Sequence, residues 1–221
     1  MMALETKFVI KICGITNEQD ARDAVQAGAT ALGFNFYRKS PRYVTVEQAQ
    51  VIAASLPAAV LRVGVFVNET AESIAETACY VPLDVVQLHG RMPNPLPQLR
   101  IWRAIAVDEN FDPGQLSGID VDAFLLDAPT DRFGGSGRSF DWVRAAGLKR
   151  RILLAGGLDG SNVEQGIAAV DPWGVDACSR IESSPGKKDA RKVREFVAAA
   201  RKPFEARDRR SASPVKQEIS L

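Results

Sequence analysis

The 221-residue sequence predicts an α/β protein, a single-domain (β/α)8 barrel. Three observations carry that prediction. Short apolar runs alternate with helical patterns along most of the chain, which implies parallel strands joined by right-handed crossovers. Eight strand–helix units fit into about 200 residues, the count that closes a barrel and the lower end of that fold's size. The first apolar run leads into Cys13-Gly-Ile-Thr-Asn-Glu18, where an open doubly wound sheet would carry its glycine-rich dinucleotide fingerprint.

The elements follow in order. Phe8–Ile12 reads as a strand and Asn17–Ala27 as a helix, with Thr16 and Gln19 at capping-box spacing. Ala31–Phe36 is the second strand, and Val46–Leu56 a helix behind a second such pair, Thr45 and Gln48. Val60–Phe66, helix Thr70–Cys79 and strand Asp84–Leu88 come next. A short Pro-rich helical segment near Leu96 leads to strand Ile101–Ile105, and a short connection to strand Ala123–Leu126. A helix around Phe140–Ala146 precedes strand Arg151–Leu154. Ser161–Val170 is a helix with a third capping pair, Ser161 and Glu164. Strand Gly174–Ala177 and helix Asp189–Ala200 complete the count. The barrel domain is placed at 7–202. Residues 203–221, polar and without periodicity from Glu205, read as a disordered tail. From Arg201 onward six Lys/Arg against three Asp/Glu give +3. That charge suits either a solvated terminus or a weak contact with an anionic surface.

Composition narrows the function. Lys plus Arg is 28 and Asp plus Glu 27, so the basic excess of a duplex-binding domain is missing. No apolar run is long enough for a membrane span, and the first eight residues lack the pattern of a secretory signal. Three scattered cysteines make no disulfide framework, and a single histidine nearly excludes a His/Cys zinc site, so no metal is expected. A reduced, cytoplasmic setting follows.

Barrel strands alternate between the interior and the helix layer, and apolar residues should fill both faces. If Ile10, Ile12, Val86, Leu88, Leu126, Val175 and Ala177 face helices, then Lys11, Cys13, Gln87, His89, Asp127 and Asp176 converge on the interior. Nearly all of them lie at the carboxyl ends of strands, where barrel active sites form. Each also has a structural reading. Cys13 could be a small hydrophobe, His89 a hydrogen-bonded core group, and Asp127 a turn former before Pro129. Lys11 could pair with Asp127 or Asp176. Six polar groups on one face and one rim argue for chemistry, provided the register holds. Gly156-Gly157 after the seventh strand and Ser179-Arg180 after the eighth occupy the loops where barrels often bind phosphate, or else make tight turns. Gly134-Gly-Ser-Gly137 reads as a lid or a flexible loop. Arg42, in Ser40-Pro-Arg-Tyr43, suits a carboxylate or a surface position.

Eight segments, in order, resemble the phosphoribosylanthranilate isomerase family: Lys11-Ile-Cys-Gly-Ile-Thr16, Ser40-Pro-Arg-Tyr43, Val63-Gly-Val-Phe-Val-Asn68, Val86-Gln-Leu-His-Gly90, Leu125-Leu-Asp127, Gly134-Gly-Ser-Gly-Arg-Ser-Phe-Asp-Trp142, Leu154-Ala-Gly-Gly-Leu158 and Gly174-Val-Asp176. The resemblance spans roughly residues 7–200. It implies a barrel isomerase of tryptophan biosynthesis that performs an Amadori rearrangement of a phosphorylated anthranilate riboside without a cofactor, as a monomer or homodimer, with no nucleic acid or membrane partner. It further implies that Cys13 is the general base and Asp127 the general acid. Arg42 would hold the anthranilate carboxylate, Gly156, Gly157 and Ser179 the phosphate, and Lys11, Gln87, His89 and Asp176 would line the substrate site. Two departures stand out. The family usually reads Ser-Ser-Gly where this chain has Cys178-Ser179-Arg180, so Arg180 could add a charge to the phosphate site, and residues 205–221 have no counterpart. The related isomerase of histidine biosynthesis uses aspartate where Cys13 stands. A barrel that binds phosphorylated ligands without catalysis would not need both Cys13 and Asp127.

Overall fold

The computed structural model describes residues 7–96, 98–129 and 139–212, without the side chains of 211 and 212. The Gly134–Gly137 stretch and residues 213–221 therefore lie outside the described residues. Eight strands close a barrel in sequence order: β1 Val9–Cys13, β2 Ala31–Asn35, β3 Leu61–Val67, β4 Val85–His89, β5 Arg100–Ala106, β6 Ala123–Asp127, β7 Ile152–Leu154 and β8 Gly174–Ala177. All pairings are parallel, and β8 returns to β1 with Lys11 opposite Asp176 and Ile12 opposite Ala177.

The predicted alternation has a direct counterpart in two separate apolar clusters. Val9, Ala31, Leu61, Val63, Val85, Trp102, Leu125 and Leu153 fill the barrel interior. Ile10, Ile12, Leu32, Phe34, Val86, Leu88, Phe124, Leu126 and Val175 face outward against the helices. Trp173 meets Trp102 edge-on at 5.8 Å and extends the interior cluster. Along β1, β4 and β6 the interior positions change from apolar to polar toward the carboxyl end: Val9 gives way to Lys11 and Cys13, Val85 to Gln87 and His89, Leu125 to Asp127.

The connections depart from the simple strand–helix count. The α-helices are α1 Glu18–Ala27, α2 Val46–Ala54, α3 Ala71–Tyr80, α4 Val163–Val170 and α5 Ala190–Ala212. After β5 and β6 the described residues make only single 3-10 turns, Pro113–Leu116 and Trp142–Ala145. No helix forms among the described residues near Leu96, where Pro93 and Pro95 lack the N–H a helix ladder needs. Of the three capping pairs only Thr45 and Gln48 form a reciprocal box. At α1 the cap is Asn17, which accepts from the Asp20 N–H at 2.9 Å, while the Thr16 hydroxyl donates to the Gly186 carbonyl. At α4 the chain enters through Asn162, whose side chain binds the preceding loop instead of capping. In both places an asparagine one residue later displaces the predicted cap.

The expected tail is the main correction. α5 continues to Ala212 and carries Pro203 inside it, so residues 203–212 are helical. Phe204 is fully buried and stacks on Phe8 with ring centroids 4.9 Å apart. Arg207 lies over the Phe204 ring and donates to the Asp171 carboxylate and the Pro172 carbonyl at 3.0 and 2.8 Å. One buried aromatic within a charged run is enough to dock two more turns. A second unforeseen element follows β8: the 3-10 turn Ser179–Ile181 leads into a small antiparallel hairpin, β9 Glu182–Ser184 and β10 Lys187–Lys188. No helix among the described residues is long and apolar enough to cross a membrane.

Candidate active site

The polar ends of the strands enclose one pocket at the carboxyl face of the barrel. Cys13, Asn35, Arg42, Gln87, His89, Asp127, Asp176 and Cys178 line it. The structure thus brings together seven predicted positions on or beside one cavity: Cys13, Arg42, Gln87, His89, Asp127 and Asp176 as lining, and Lys11 directly below. Lys11 is the exception to the predicted lining set. Its side chain is fully buried and does not reach the pocket surface. It crosses toward β8 and donates to Asp176 Oδ1 at 2.9 Å. Burial disfavours both charges of this pair, while their contact favours both. The outcome for Lys11 is a proton held above its ordinary value; burial raises Asp176 to about 7 against the pull of Lys11. Gly33 on β2 makes room for this arrangement: a Cβ there would stand 3.0 Å from both the Cys13 sulfur and the Lys11 ammonium.

The two candidates for acid–base work have opposite electrostatics. A hydrogen bond from Cys178 favours the Cys13 thiolate. Burial opposes it, but the positive charges of Lys11 and Lys188 add to the hydrogen bond, and the thiol is held well below its usual range. Asp127, partly buried, moves the other way. Burial pushes its carboxyl up to about 6, the Ala128 N–H at 2.8 Å pulls it down, and the Cys13 charge raises it again. A sulfur shifted toward its thiolate and a carboxyl shifted toward its protonated form therefore face one cavity.

His89 is pushed down to about 3, first by burial and then by the charges of Lys11 and Arg103, so it is a neutral imidazole. Its Nε2 lies 2.8 Å from Gln87 Nε2, which fits a Gln87 N–H donating to it. Gln87 is almost fully buried, and its Oε1 has no hydrogen-bond partner among the described residues. A buried acceptor without a partner costs about 1–3 kcal/mol, so this oxygen is suited to a donor that arrives with a ligand.

Arg42 is neither a free surface residue nor fully available. Its Nε and Nη2 donate to both oxygens of Glu182 at 2.8 and 2.7 Å, and Glu182 also accepts from Lys188 Nζ at 2.8 Å. This buried cluster fixes the guanidinium plane, leaving Nη1 with no acceptor among the described residues. Lys188 Nζ further donates to the Cys178 carbonyl at 3.2 Å. Its own backbone N–H is held by Asp20 of α1 at 2.7 Å. Glu182, Lys188, Cys178, Asp20 and Gly33 were not foreseen from the sequence. The one available signal was Glu182-Ser-Ser-Pro-Gly-Lys-Lys188, a turn sequence between two charged ends where the predicted scheme had only a loop.

The loops expected to hold phosphate are adjacent. Gly156 and Gly157 both have left-handed backbone, with φ of 83° and 63°. A Cβ on Gly156 would meet the Ala128 nitrogen at 2.8 Å and Asp127 at 3.1 Å, so glycine there leaves room for the Asp127 carboxyl. Ser179 opens the 3-10 turn after β8. Arg180 reaches across to the β7 loop, where its Nε pairs with Asp159 at 2.7 Å. It ties the two loops together, and its charge is shared with that carboxylate. Among the described residues no cluster of three or more His, Cys, Asp or Glu side chains is arranged to hold a metal ion.

Comparison with known proteins gives one result at every level. The family described as N-(5'phosphoribosyl)anthranilate (PRA) isomerase matches residues 10–199. An N-(5'-phosphoribosyl)anthranilate isomerase of Solibacter usitatus is 50% identical over 197 residues, covering 88% of this chain and 98% of the relative. The crystal structure of the Thermotoga maritima phosphoribosyl anthranilate isomerase superposes with a TM-score of 0.80 at 40% identity, covering 88% of this chain and 98% of that one. A phosphoribosyl anthranilate isomerase crystallised with reduced 1-(o-carboxyphenylamino)-1-deoxyribulose 5-phosphate does so with a TM-score of 0.76 at 38% identity, with the same coverage. With a closed eight-stranded barrel, an acid–base pocket at its carboxyl face and a family match across nearly the whole barrel, this chain belongs to the N-(5'-phosphoribosyl)anthranilate isomerase family.

Proposed function

We infer that the pocket converts N-(5'-phosphoribosyl)anthranilate into 1-(2-carboxyphenylamino)-1-deoxyribulose 5-phosphate, with Asp127 as general acid and Cys13 as general base. The observation that carries this reading is the pairing, in one cavity, of a carboxyl raised to about 6 with a thiol held well below its usual range. Asp127 gives its proton to the ribose ring oxygen as the C1–O bond breaks, and the anilinic nitrogen lone pair forms the iminium. The Cys13 thiolate then removes the C2 proton, and the C–H electrons neutralise the iminium to give an enol. Delivery of one proton to C1 and loss of one from the enol oxygen give the ketone and restore both groups. The iminium is itself the electron sink, so this route calls for no cofactor. A general acid or base contributes about 10²–10⁴-fold.

The remaining residues bind and orient. Arg42 Nη1 meets the anthranilate carboxylate, with the guanidinium plane fixed from behind by Glu182. Gly156, Gly157 and Ser179 offer backbone N–H groups to the phosphate, and Arg180, anchored on Asp159, adds positive charge at its edge. Gln87 Oε1 accepts from a substrate hydroxyl or the amine, and His89 and Asp176 wall the cavity. Lys11 acts from below by favouring the Cys13 thiolate. All these groups come from one chain, so either a monomer or a homodimer contains complete sites. A thiolate base suits a reduced cytoplasmic compartment. The test is loss of anthranilate-conjugate fluorescence on addition of the protein: turnover supports the reading. No turnover with this substrate, but turnover of the corresponding aminoimidazole substrate of histidine biosynthesis, overturns it.

A further inference from the structure

Cys178 has no part in the proton transfers above, yet its position next to Cys13 is specific. The two cysteines follow, by one residue each, the registered pair Ile12 and Ala177 on the adjacent parallel strands β1 and β8. Neighbouring strands run about 4.8 Å apart, within the roughly 4.4–6.8 Å Cα separation that a disulfide spans. Both side chains line the same cavity, with the Cys13 sulfur 3.0 Å from where a Cβ on Gly33 would be. The backbone after Ala177 leaves the strand at Cys178, with φ −135° and ψ −88°, and brings its sulfur to 3.2 Å from where a Cβ on Gly14 would be. Lys188 Nζ stands 4.0 Å from that sulfur. All three cysteines of the chain are free thiols in this structure, and the third, Cys79, is exposed on α3, away from the pocket.

We propose that Cys13 and Cys178 are a redox-modification site, a vicinal dithiol that hydroperoxides convert reversibly to a disulfide across the β1–β8 seam. Two properties make Cys13 the sulfur attacked first. It is the one favoured as thiolate, and it opens onto the cavity through which a molecule as small as hydrogen peroxide can enter. In the first step the Cys13 sulfur forms a bond to one peroxide oxygen as the O–O bond breaks. The other oxygen leaves as water after taking a proton, and Cys13 becomes a sulfenic acid. In the second step Cys178 attacks that sulfur, the S–S bond forms, the S–O bond breaks, and the Cys178 proton leaves with the oxygen as a second water. Two thiols lose two electrons and one peroxide gains them. A dithiol reductant reverses the bond by thiol–disulfide exchange. The bond itself does not depend on the catalytic reading. Inhibition does, because it removes the Cys13 base.

The experiment uses the full chain carrying Cys79→Ser, freed of reductant and exposed to hydrogen peroxide, with mass, peptide map and turnover measured together. The expected result is a loss of about 2 Da, a non-reduced peptide joining the β1 and β8 segments, and turnover reduced by about 10²-fold or more. Dithiothreitol should restore both. In Cys178→Ser on the same background, each preparation compared with its own reduced activity, Cys13 should instead gain about 32 Da as a sulfinic acid, and dithiothreitol should not restore turnover. Irreversible oxidation of Cys13 with Cys178 still a free thiol in the parent chain would overturn the proposal. If the disulfide forms and turnover persists, the dithiol assignment stands and the role of Cys13 as base falls.

Discussion

Lys11 Nζ lies 2.9 Å from Asp176 Oδ1 across the seam where β8 closes on β1, and both side chains are buried in the barrel interior. Lys11 also favours the ionised forms of Cys13 and Asp127 and the neutral form of His89. Lys11→Met should leave the Asp176 carboxylate unpaired and cost about 3–5 kcal/mol of unfolding free energy, read by urea denaturation. It should also move the acidic limb of the kcat/KM profile to higher pH, since Lys11 favours the Cys13 thiolate. An unmoved limb in the folded variant would remove Lys11 from the account of the base.

Arg42 and Glu182 should behave as one unit. With Arg42 holding the substrate carboxylate as proposed, Arg42→Ala should lose a charge-assisted contact worth about 1.5–3 kcal/mol and raise KM far more than it lowers kcat. Glu182→Gln keeps the shape but frees the guanidinium, and should raise KM through misplacement of Arg42 while lowering the melting temperature. A KM unchanged in both variants would mean that the bidentate pair is purely structural.

The raised carboxyl of Asp127 ties stability to pH. Its carboxyl titrates at about 6 when folded, above its ordinary 3.8, so the folded state binds the proton more tightly than the unfolded chain does. The stabilisation this gives is complete below about pH 4 and is lost as pH rises through 6, at most about 3 kcal/mol for such a shift. Asp127→Asn keeps the bond to the Ala128 N–H and does not titrate. It should be more stable than the parent chain at pH 8 and no more stable at pH 4, measured by denaturant midpoints at both pH values. Equal destabilisation at both would assign Asp127 a structural role.

The end of the chain gives a prediction about docking. Removal of residues after Ala212 should leave the melting temperature unchanged. Removal after Phe204 deletes Arg207 and its bonds to Asp171 and Pro172, and should lower it by a few degrees, about 2–4 °C per kcal/mol at this size. Phe204→Ala, which empties a fully buried site, should cost about 3–5 kcal/mol. A neutral Phe204→Ala would mean the last turns of α5 do not hold the barrel.

Much of this architecture was legible because period-two alternation has few solutions in a closed parallel sheet. The placement of Val9, Lys11 and Cys13 on one face of β1, and of Gln87 with His89 on β4, followed from side-chain direction alone. What the sequence concealed depends on contacts between distant segments. Phe204 is one aromatic among charges, and only its stacking on Phe8 makes the last turns of α5 part of the fold. Glu182 and Lys188 look like solvated charges until the hairpin buries them against Arg42. Arg180 has the composition of a phosphate ligand, but its partner Asp159 lies on another loop. Cys178 becomes a neighbour of Cys13 only through the closure of β8 on β1.

The central claim is that Cys13 takes the C2 proton while Asp127 supplies the proton to the ring oxygen. The most direct measurement is single-turnover fluorescence loss with saturating Cys13→Ser and Asp127→Asn proteins, each first shown to bind the reduced product analogue. The account predicts rates about 10²–10⁴-fold below the parent chain in both, with binding retained. Near-parental turnover in either folded variant would contradict it.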